Sequence, residues 1–253
     1  APGDRLVQIV HDVVKRKGAL LVPAFAVGRT QDLMWLLREL ENAGKIPSLP
    51  VFIDSPMAIN VADLYCRHPE DHALDMKLLM DEKRCPLCCK QYNLVRSAEG
   101  SKALNSHEGP LIIISASGMA TGGRILHHLK QRLPDARTTV LLVGFQSIGT
   151  RGRSLQDGAK SLRIHGQDVP VRATVEMISG LSAHADRNEI LRWLEGFTRA
   201  PHETFIVHGE PNGASALQEL IHDRLGWNAR IPGDGESIIL GKRAPENVKN
   251  RHG

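Results

Sequence analysis

Aromatic side chains make up only 4% of the 253 residues, and that scarcity already limits what the chain can do. Three Trp, two Tyr and five Phe are too few for extensive base stacking along a nucleic acid. Long apolar runs are lacking too. None approaches the roughly 20 residues of a membrane span, and Ala1-Pro2-Gly3-Asp4 has no basic segment leading into an apolar one. A soluble, cytoplasmic protein without membrane contact is expected, and the absence of an initiator Met suits a chain that begins inside a longer one. Excess charge of one sign is small: 32 Lys and Arg against 28 Asp and Glu leave a net charge of +4, which permits a nucleic-acid partner without demanding one. Finally, there is no His-x-His-x-Asp-His run or comparable cluster, although a histidine-rich two-metal site needs several ligands of that kind.

Cysteine is also sparse, with four residues, three of them in Cys85-Pro86-Leu87-Cys88-Cys89. Two thiols at that spacing make half a zinc knuckle, and Cys66, His68 and His72 would complete one only by folding back. Reduced thiols on a surface loop are expected instead.

What is present is a regular alternation. Apolar residues at helical spacing (Leu6, Ile9, Val10, Val13) run up to Gly18, and Ala19 to Pro23 reads as a buried strand. A helix from Thr30 to Ala43, a strand from Val51 to Asp54 and a helix opened by Ser55-Pro56 follow. Leu111 to Ser115 is the clearest buried strand, followed by a helix reaching about Leu133 and a strand from Thr139 to Val143. Such β/α alternation predicts an α/β fold with a mostly parallel sheet and helices on both faces. After Gly144 the pattern loosens: Ser147 to Gly158 is polar and glycine-rich, Arg163 to Val175 reads as a hairpin around Gly166-Gln167-Asp168, and two more β/α units end with a strand at Ser237 to Leu240. The charged stretch from Lys242 to Gly253 lacks periodicity and is expected to be disordered.

Four segments carry the residue types that chemistry needs. In Pro23 to Gln31 a strand ends, Gly28 permits a tight turn, and Arg29 stands at the positive end of a helix, a geometry suited to phosphate and also to a plain turn. In Ser115-Ala116-Ser117-Gly118-Met119-Ala120-Thr121-Gly122-Gly123-Arg124, small residues and glycines open a helix so that amides and hydroxyls can face an anion, without matching a dinucleotide fingerprint or a P-loop. Gly144 to Arg153, with Arg151 and Arg153 among glycines and Lys160 and Arg163 nearby, suits a phosphodiester backbone or a solvated basic loop. Last, His184 in Leu181-Ser182-Ala183-His184-Ala185-Asp186 follows the β-type run Val171 to Ile178, and His208 in Val207-His208-Gly209-Glu210 follows Thr204 to Val207. Histidines at strand-to-helix junctions of an α/β sheet are candidates for metal ligation or general acid work, with Asp186 able to fix a tautomer of His184.

Taken in order, Pro-Ala-Phe-Ala-Val-Gly-Arg-Thr-Gln at 23 to 31, Ile-Asp-Ser-Pro-Met-Ala at 53 to 58, the segment 115 to 124, Gly-Phe-Gln-Ser-Ile-Gly-Thr-Arg-Gly-Arg at 144 to 153, Leu-Ser-Ala-His-Ala-Asp at 181 to 186 and Val-His-Gly-Glu at 207 to 210 resemble the β-CASP branch of the metallo-β-lactamase-fold nucleases. The resemblance covers residues 5 to 240. It implies a β-CASP domain over 1 to 166, the returning C-terminal part of a metallo-β-lactamase αββα fold over 167 to 241, and a tail from 242. It implies two Zn2+ ions in the complete active site, His208 as one ligand, His184 as proton donor or phosphate contact, and Asp186 and Glu210 in support. Arg29, Ser115, Ser117, Gly118, Gly122, Gly123, Arg124 and Arg151 would line an RNA cleft. The Ser-Ala-His-Ala-Asp form is similar to that of the endonuclease subunit of the cleavage and polyadenylation specificity factor and its bacterial and archaeal relatives, whereas ribonuclease J proteins carry Ser-Gly-His. An endoribonuclease is therefore the first expectation, with 5′–3′ exonuclease action left open and a homodimer or a heterodimer with a second β-CASP protein as the assembly. A non-catalytic RNA-binding or scaffolding partner is the alternative. Leu181 where Phe is usual, and the cysteine cluster, depart from the family pattern. Because the family's remaining metal ligands lie upstream of the insertion, the chain by itself is expected to bind metal poorly and to cleave nothing.

Overall fold

The computed structural model describes residues 2–68, 87–181 and 184–239. Cys85, His72 and the tail from Lys242 lie outside the described residues, as does Leu240. The chain divides into two compact units, Ala1–Ser182 and Ala183–Gly253. The strand Thr174–Met177 belongs to the first of these units, pairing in parallel with Thr139–Leu142.

In the first unit, α1 (Pro2–Arg16) leads into β1 (Ala19–Pro23), α2 (Arg29–Asn42), β2 (Val51–Ile53) and α3 (Pro56–Arg67). Then come β3 (Tyr92–Leu94), α4 (Ala98–Ala103), β4 (Leu111–Ser115), α5 (Ile125–Arg132), β5 (Thr139–Leu142), α6 (Arg151–Gln156), the antiparallel pair β6 (Ser161–Ile164) and β7 (Gln167–Pro170), and β8 (Thr174–Met177). The main sheet has the order β3-β2-β4-β1-β5-β8, and every pairing in it is parallel.

Period-two side-chain alternation splits the sheet into two cores. Leu20, Val22, Ile112, Ile114 and Leu141 face α1, α2 and α3, while Ala19, Leu21, Ile113, Val140 and Leu142 face Ile125, Leu126 and Leu129 of α5 and Leu155 of α6. All five residues of β1 and of β4 are buried, so each Leu, Ile or Val contributes about 1.5–3 kcal/mol relative to exposure. α2 follows β1 on one face and α5 follows β4 on the other, and β1 and β4 are neighbours. Their following loops share the carboxyl edge of the sheet, the place where open α/β sheets hold ligands.

Three local readings differ from the sequence. The polar stretch 147 to 158 contains α6, whose first turn is held by Thr150 Oγ1 accepting from the Arg153 amide at 3.2 Å. The hairpin turns at His165-Gly166, with Ile164 opposite Gln167, and β8 leaves it for the main sheet. Ser237 to Ile239 form no strand.

The second unit comprises α7 (Arg187–Glu195), β9 (Thr204–Phe205), α8 (Pro211–Leu225) and β10 (Ala229–Arg230), the two strands being parallel. Leu194, Ile206, Ala214, Ile221, Trp227 and Ala229 make its core. Among the described residues no helix is long and apolar enough to cross a membrane.

Candidate functional site

The loops that follow β1, β2, β4 and β5 carry four of the motifs, and all four lie at the carboxyl edge of one parallel sheet. The β1 loop is stitched by its own polar residues. Thr30 Oγ1 donates to Phe25 O at 2.8 Å, and buried Gln31 donates through Nε2 to Ala26 O and to Ala58 O of α3. Gly28 adopts φ 77 ahead of α2, a left-handed value that glycine takes freely. Arg29 at the helix start is paired with Asp32 at 2.9 Å. Burial pushes the Asp32 carboxyl up, and the Arg29 charge opposes that shift.

Behind the β4 loop stands a buried carboxylate, Asp54, which the sequence reading placed at a strand end and within the 53 to 58 motif without giving it a role. Asp54 is fully buried and accepts from His128 Nε2 at 2.6 Å, Ser101 Oγ at 2.5 Å and Arg124 Nη1 at 2.8 Å. Arg124 also donates to the carbonyls of Val95 and Arg96. Ser115 is buried and donates to Asp54 O at 2.8 Å. Burial alone would raise the Asp54 pKa, but the bonds from His128, Ser101 and Arg124 together outweigh it and hold the carboxyl below its ordinary range. Donation to a carboxylate puts the hydrogen of His128 on Nε2, and its buried Nδ1 has no hydrogen-bond partner. Ser115 and Arg124 are thus engaged inward, fixing the root of the loop.

The loop itself closes on Ser117, whose Oγ accepts from the amides of Thr121 and Gly122 at 3.1 and 3.3 Å. The glycines have separate reasons. A Cβ on Gly118 would lie 2.8 Å from the Phe25 ring, and one on Gly123, at φ 79, would lie 2.3 Å from Ala116 O. Gly122 faces open space. Gln146 of the β5 loop donates to Gly118 O at 3.1 Å, and Arg151 reaches Thr121 O at 3.4 Å, so the β4 and β5 loops are tied together. Arg151 also donates to Arg163 O at 2.7 Å, and both of its acceptors are uncharged carbonyls. Around this edge stand exposed apolar side chains that the sequence did not flag: Phe25, Val27, Met57, Phe145 and Ile148. Two of the chain's five phenylalanines are therefore in solvent at this edge.

In the second unit, His184 is exposed just before α7. Asp186 is the N-cap of that helix: its Oδ1 accepts from the amides of Asn188 and Glu189 at 2.8 and 2.9 Å, and Glu189 Oε2 accepts from the Asp186 amide. That capping box commits one carboxylate oxygen of Asp186 to the helix. His208 follows β9 with φ 65, an uncommon left-handed value for a non-glycine residue, and is exposed. Gly209 lets this turn approach α8, since a Cβ there would lie 3.2 Å from that of Ala214. Glu210 stands at the N-cap position of α8 ahead of Pro211, with no side-chain cap bond to the helix. A zinc centre needs three or four protein ligands, and the described residues contain no group of three His, Cys, Asp or Glu able to hold an ion. These residues do not by themselves fit a zinc site.

Comparison with known proteins adds the following. Residues 30–155 match the model of the Beta-Casp domain, and residues 168–232 match that of a Zn-dependent metallo-hydrolase RNA specificity domain. The chain is 35% identical over 231 residues to Ribonuclease TTHA0252 of Thermus thermophilus, covering 91% of this chain and 52% of that protein. It is 32% identical over 243 residues to Transcription termination factor FttA of Pyrococcus horikoshii, covering 93% of this chain and 37% of that protein. To the factor of the same name from Lokiarchaeum sp. it is 29% identical over 241 residues, covering 93% and 38%. The chain thus spans about half of the ribonuclease and under two fifths of the termination factors.

Proposed function

The chain belongs to the β-CASP family of metallo-β-lactamase-fold RNA-processing nucleases, and from that premise we propose that it is the RNA-holding part of a zinc-dependent endoribonuclease. One observation carries the reading: four motif-bearing loops from β1, β2, β4 and β5 converge on a single carboxyl edge of a parallel sheet, at its switch point.

In this reading the loops divide the work. Asp54, Ser115 and Arg124 set the conformation of the β4 loop from within, and Ser117 and the three glycines shape its outer face. Arg151, resting on carbonyls, keeps its charge for a phosphate, whereas the charge of Arg29 is partly met by Asp32. Phe25 and Phe145 give flat apolar surfaces on which one or two bases can stack without their edges being read. Single-stranded RNA suits such a surface better than a duplex, whose bases are already stacked.

His208 would be a ligand in the two-zinc centre of the complete protein, and that centre would supply a water nucleophile. His184 would give a proton to the departing oxygen, a contribution worth about 10²–10⁴ in rate. The test is a pair of variants in the full-length protein. His208→Ala is expected to lower bound zinc and abolish cleavage of a single-stranded RNA. His184→Ala is expected to keep the zinc and lose cleavage by about 10²–10⁴. Unchanged zinc and cleavage in His208→Ala would refute the assignment.

A further inference from the structure

The two-residue turn between β6 and β7 holds a local mismatch. Ile164 pairs with Gln167, so His165 and Gly166 are its central residues, with φ 47 and 76. Positive φ at both places is the type I′ geometry, where Asn, Asp or Gly is preferred at the first position. The chain carries a histidine there instead. Its ring lies on that of His127 of α5, centroids 4.7 Å apart and planes at 26°, and both residues are exposed.

His127 is depressed below its ordinary range first by partial burial and then by repulsion from its neighbours: the His165 ring of the turn and the His128 ring of its own helix when either is protonated, Lys130 of that helix, and Lys102 of α4. On the strands flanking the turn, Arg163 and Asp168 neutralise each other at 3.1 Å. The patch is joined to the carboxyl edge of the sheet, because Arg151 bridges Thr121 of the β4 loop and Arg163 of the hairpin. A stacked pair of histidines with Lys102 and Lys130 facing one of them, joined to the edge read above as an RNA site, is a surface that suits an anionic ligand.

We propose that the stacked His127–His165 pair, with Lys102 and Lys130, is a second contact for the RNA backbone, one that takes up protons when the phosphate chain arrives. The proposal rests on the reading of the carboxyl edge as an RNA site. The neighbouring cations now disfavour the imidazolium form of His127, and a bound phosphate reverses the sign of the field there, so His127 gains a proton in the complex. Affinity then rises as pH falls through the histidine range, by up to about tenfold for a pKa that moves by one unit on binding.

His165→Asn is the clean variant, since Asn suits the left-handed position and keeps the turn while removing the imidazole. The measurement is binding of a fluorescent oligouridylate to the full-length protein between about pH 6 and about pH 8, at fixed salt. The wild type is expected to bind several-fold more tightly at the acid end, and calorimetry in buffers of different ionisation enthalpy is expected to show net proton uptake. His165→Asn, and independently His127→Gln, are expected to flatten the profile and reduce the uptake while leaving the melting temperature near that of the wild type. RNA binding with an unchanged pH profile in both variants would overturn the proposal and leave the reading of that edge intact. No binding of the oligouridylate at any pH would overturn both.

Discussion

Replacing Asp54 by Asn keeps the size of a fully buried side chain and removes its charge, which isolates what the carboxylate does. Three donors converge on it. Ser101 and His128 both donate to Oδ2 and Arg124 to Oδ1, so an amide with its NH2 at the Oδ2 place faces His128 Nε2–H donor against donor, and the reversed amide sets its NH2 against Arg124 instead. Turning the imidazole to accept there would place an N–H at the buried Nδ1 position, which has no partner. An orphaned buried donor costs about 1–3 kcal/mol, and a lost hydrogen bond to a charged group about 1.5–3. Arg124 loses its ion partner but keeps two carbonyls and some solvent, so its share is small. The sum is a loss of about 3–5 kcal/mol, the range for breaking a buried pair from one side. Native-state hydrogen exchange on the amides of Leu111–Ser115 reads it, because opening β4 requires opening the unit. The loss also has a pH signature. Asp54 is held below its ordinary carboxyl value of 3.8, so its contribution is complete above that value and fades as pH falls through the lower folded one. The asparagine variant has no such group, and the gap between the two proteins, followed by urea midpoints, should shrink in strong acid. A loss under about 1 kcal/mol at neutral pH, or a gap that persists in acid, would refute this account of the network.

Two further changes probe other joints. Gly123→Ala puts a Cβ into Ala116 O at a positive φ; about 1–2 kcal/mol of backbone strain plus the clash should distort the β4 loop, and in the full-length protein RNA affinity should fall more than the melting temperature. Asp186→Ala removes the one oxygen that accepts from two amides at the start of α7 and should cost about 1 kcal/mol in the second unit alone, seen as faster amide exchange in Arg187–Glu195 with Leu111–Ser115 unaffected.

The sheet was legible because its central strands are apolar without interruption. Leu-Ile-Ile-Ile in β4 can be satisfied only by burial on both faces, and parallel pairing follows from the helices between such runs. The short elements were not legible. Tyr92-Asn93-Leu94 is an edge strand with partly exposed side chains and no periodic signal, and α6 owes its existence to one threonine cap. In the site, the motif segments were visible but the direction of their side chains was not. Nothing local in Ser115 or Arg124 tells that they turn inward to Asp54, because that residue follows a strand some sixty residues earlier. The His165 turn was likewise placed near Gly166, yet the ring stacked on His127 depends on tertiary packing that no window of sequence contains.

The strand order also governs how the molecule is born. Ala19 pairs with Leu111, so β1 is synthesised roughly ninety residues before the neighbour that fills the gap between it and β2. At translation speeds of about 5–20 residues per second, an all-apolar strand waits on the order of five to twenty seconds with that edge unpaired. The amphipathic α1 and α2 can cover one face meanwhile, but neither can supply the missing ladder. Yield in a cell therefore turns on what shields β1 during that interval, and slowing elongation before Leu111 lengthens the exposure while shortening the β2–β4 connection reduces it.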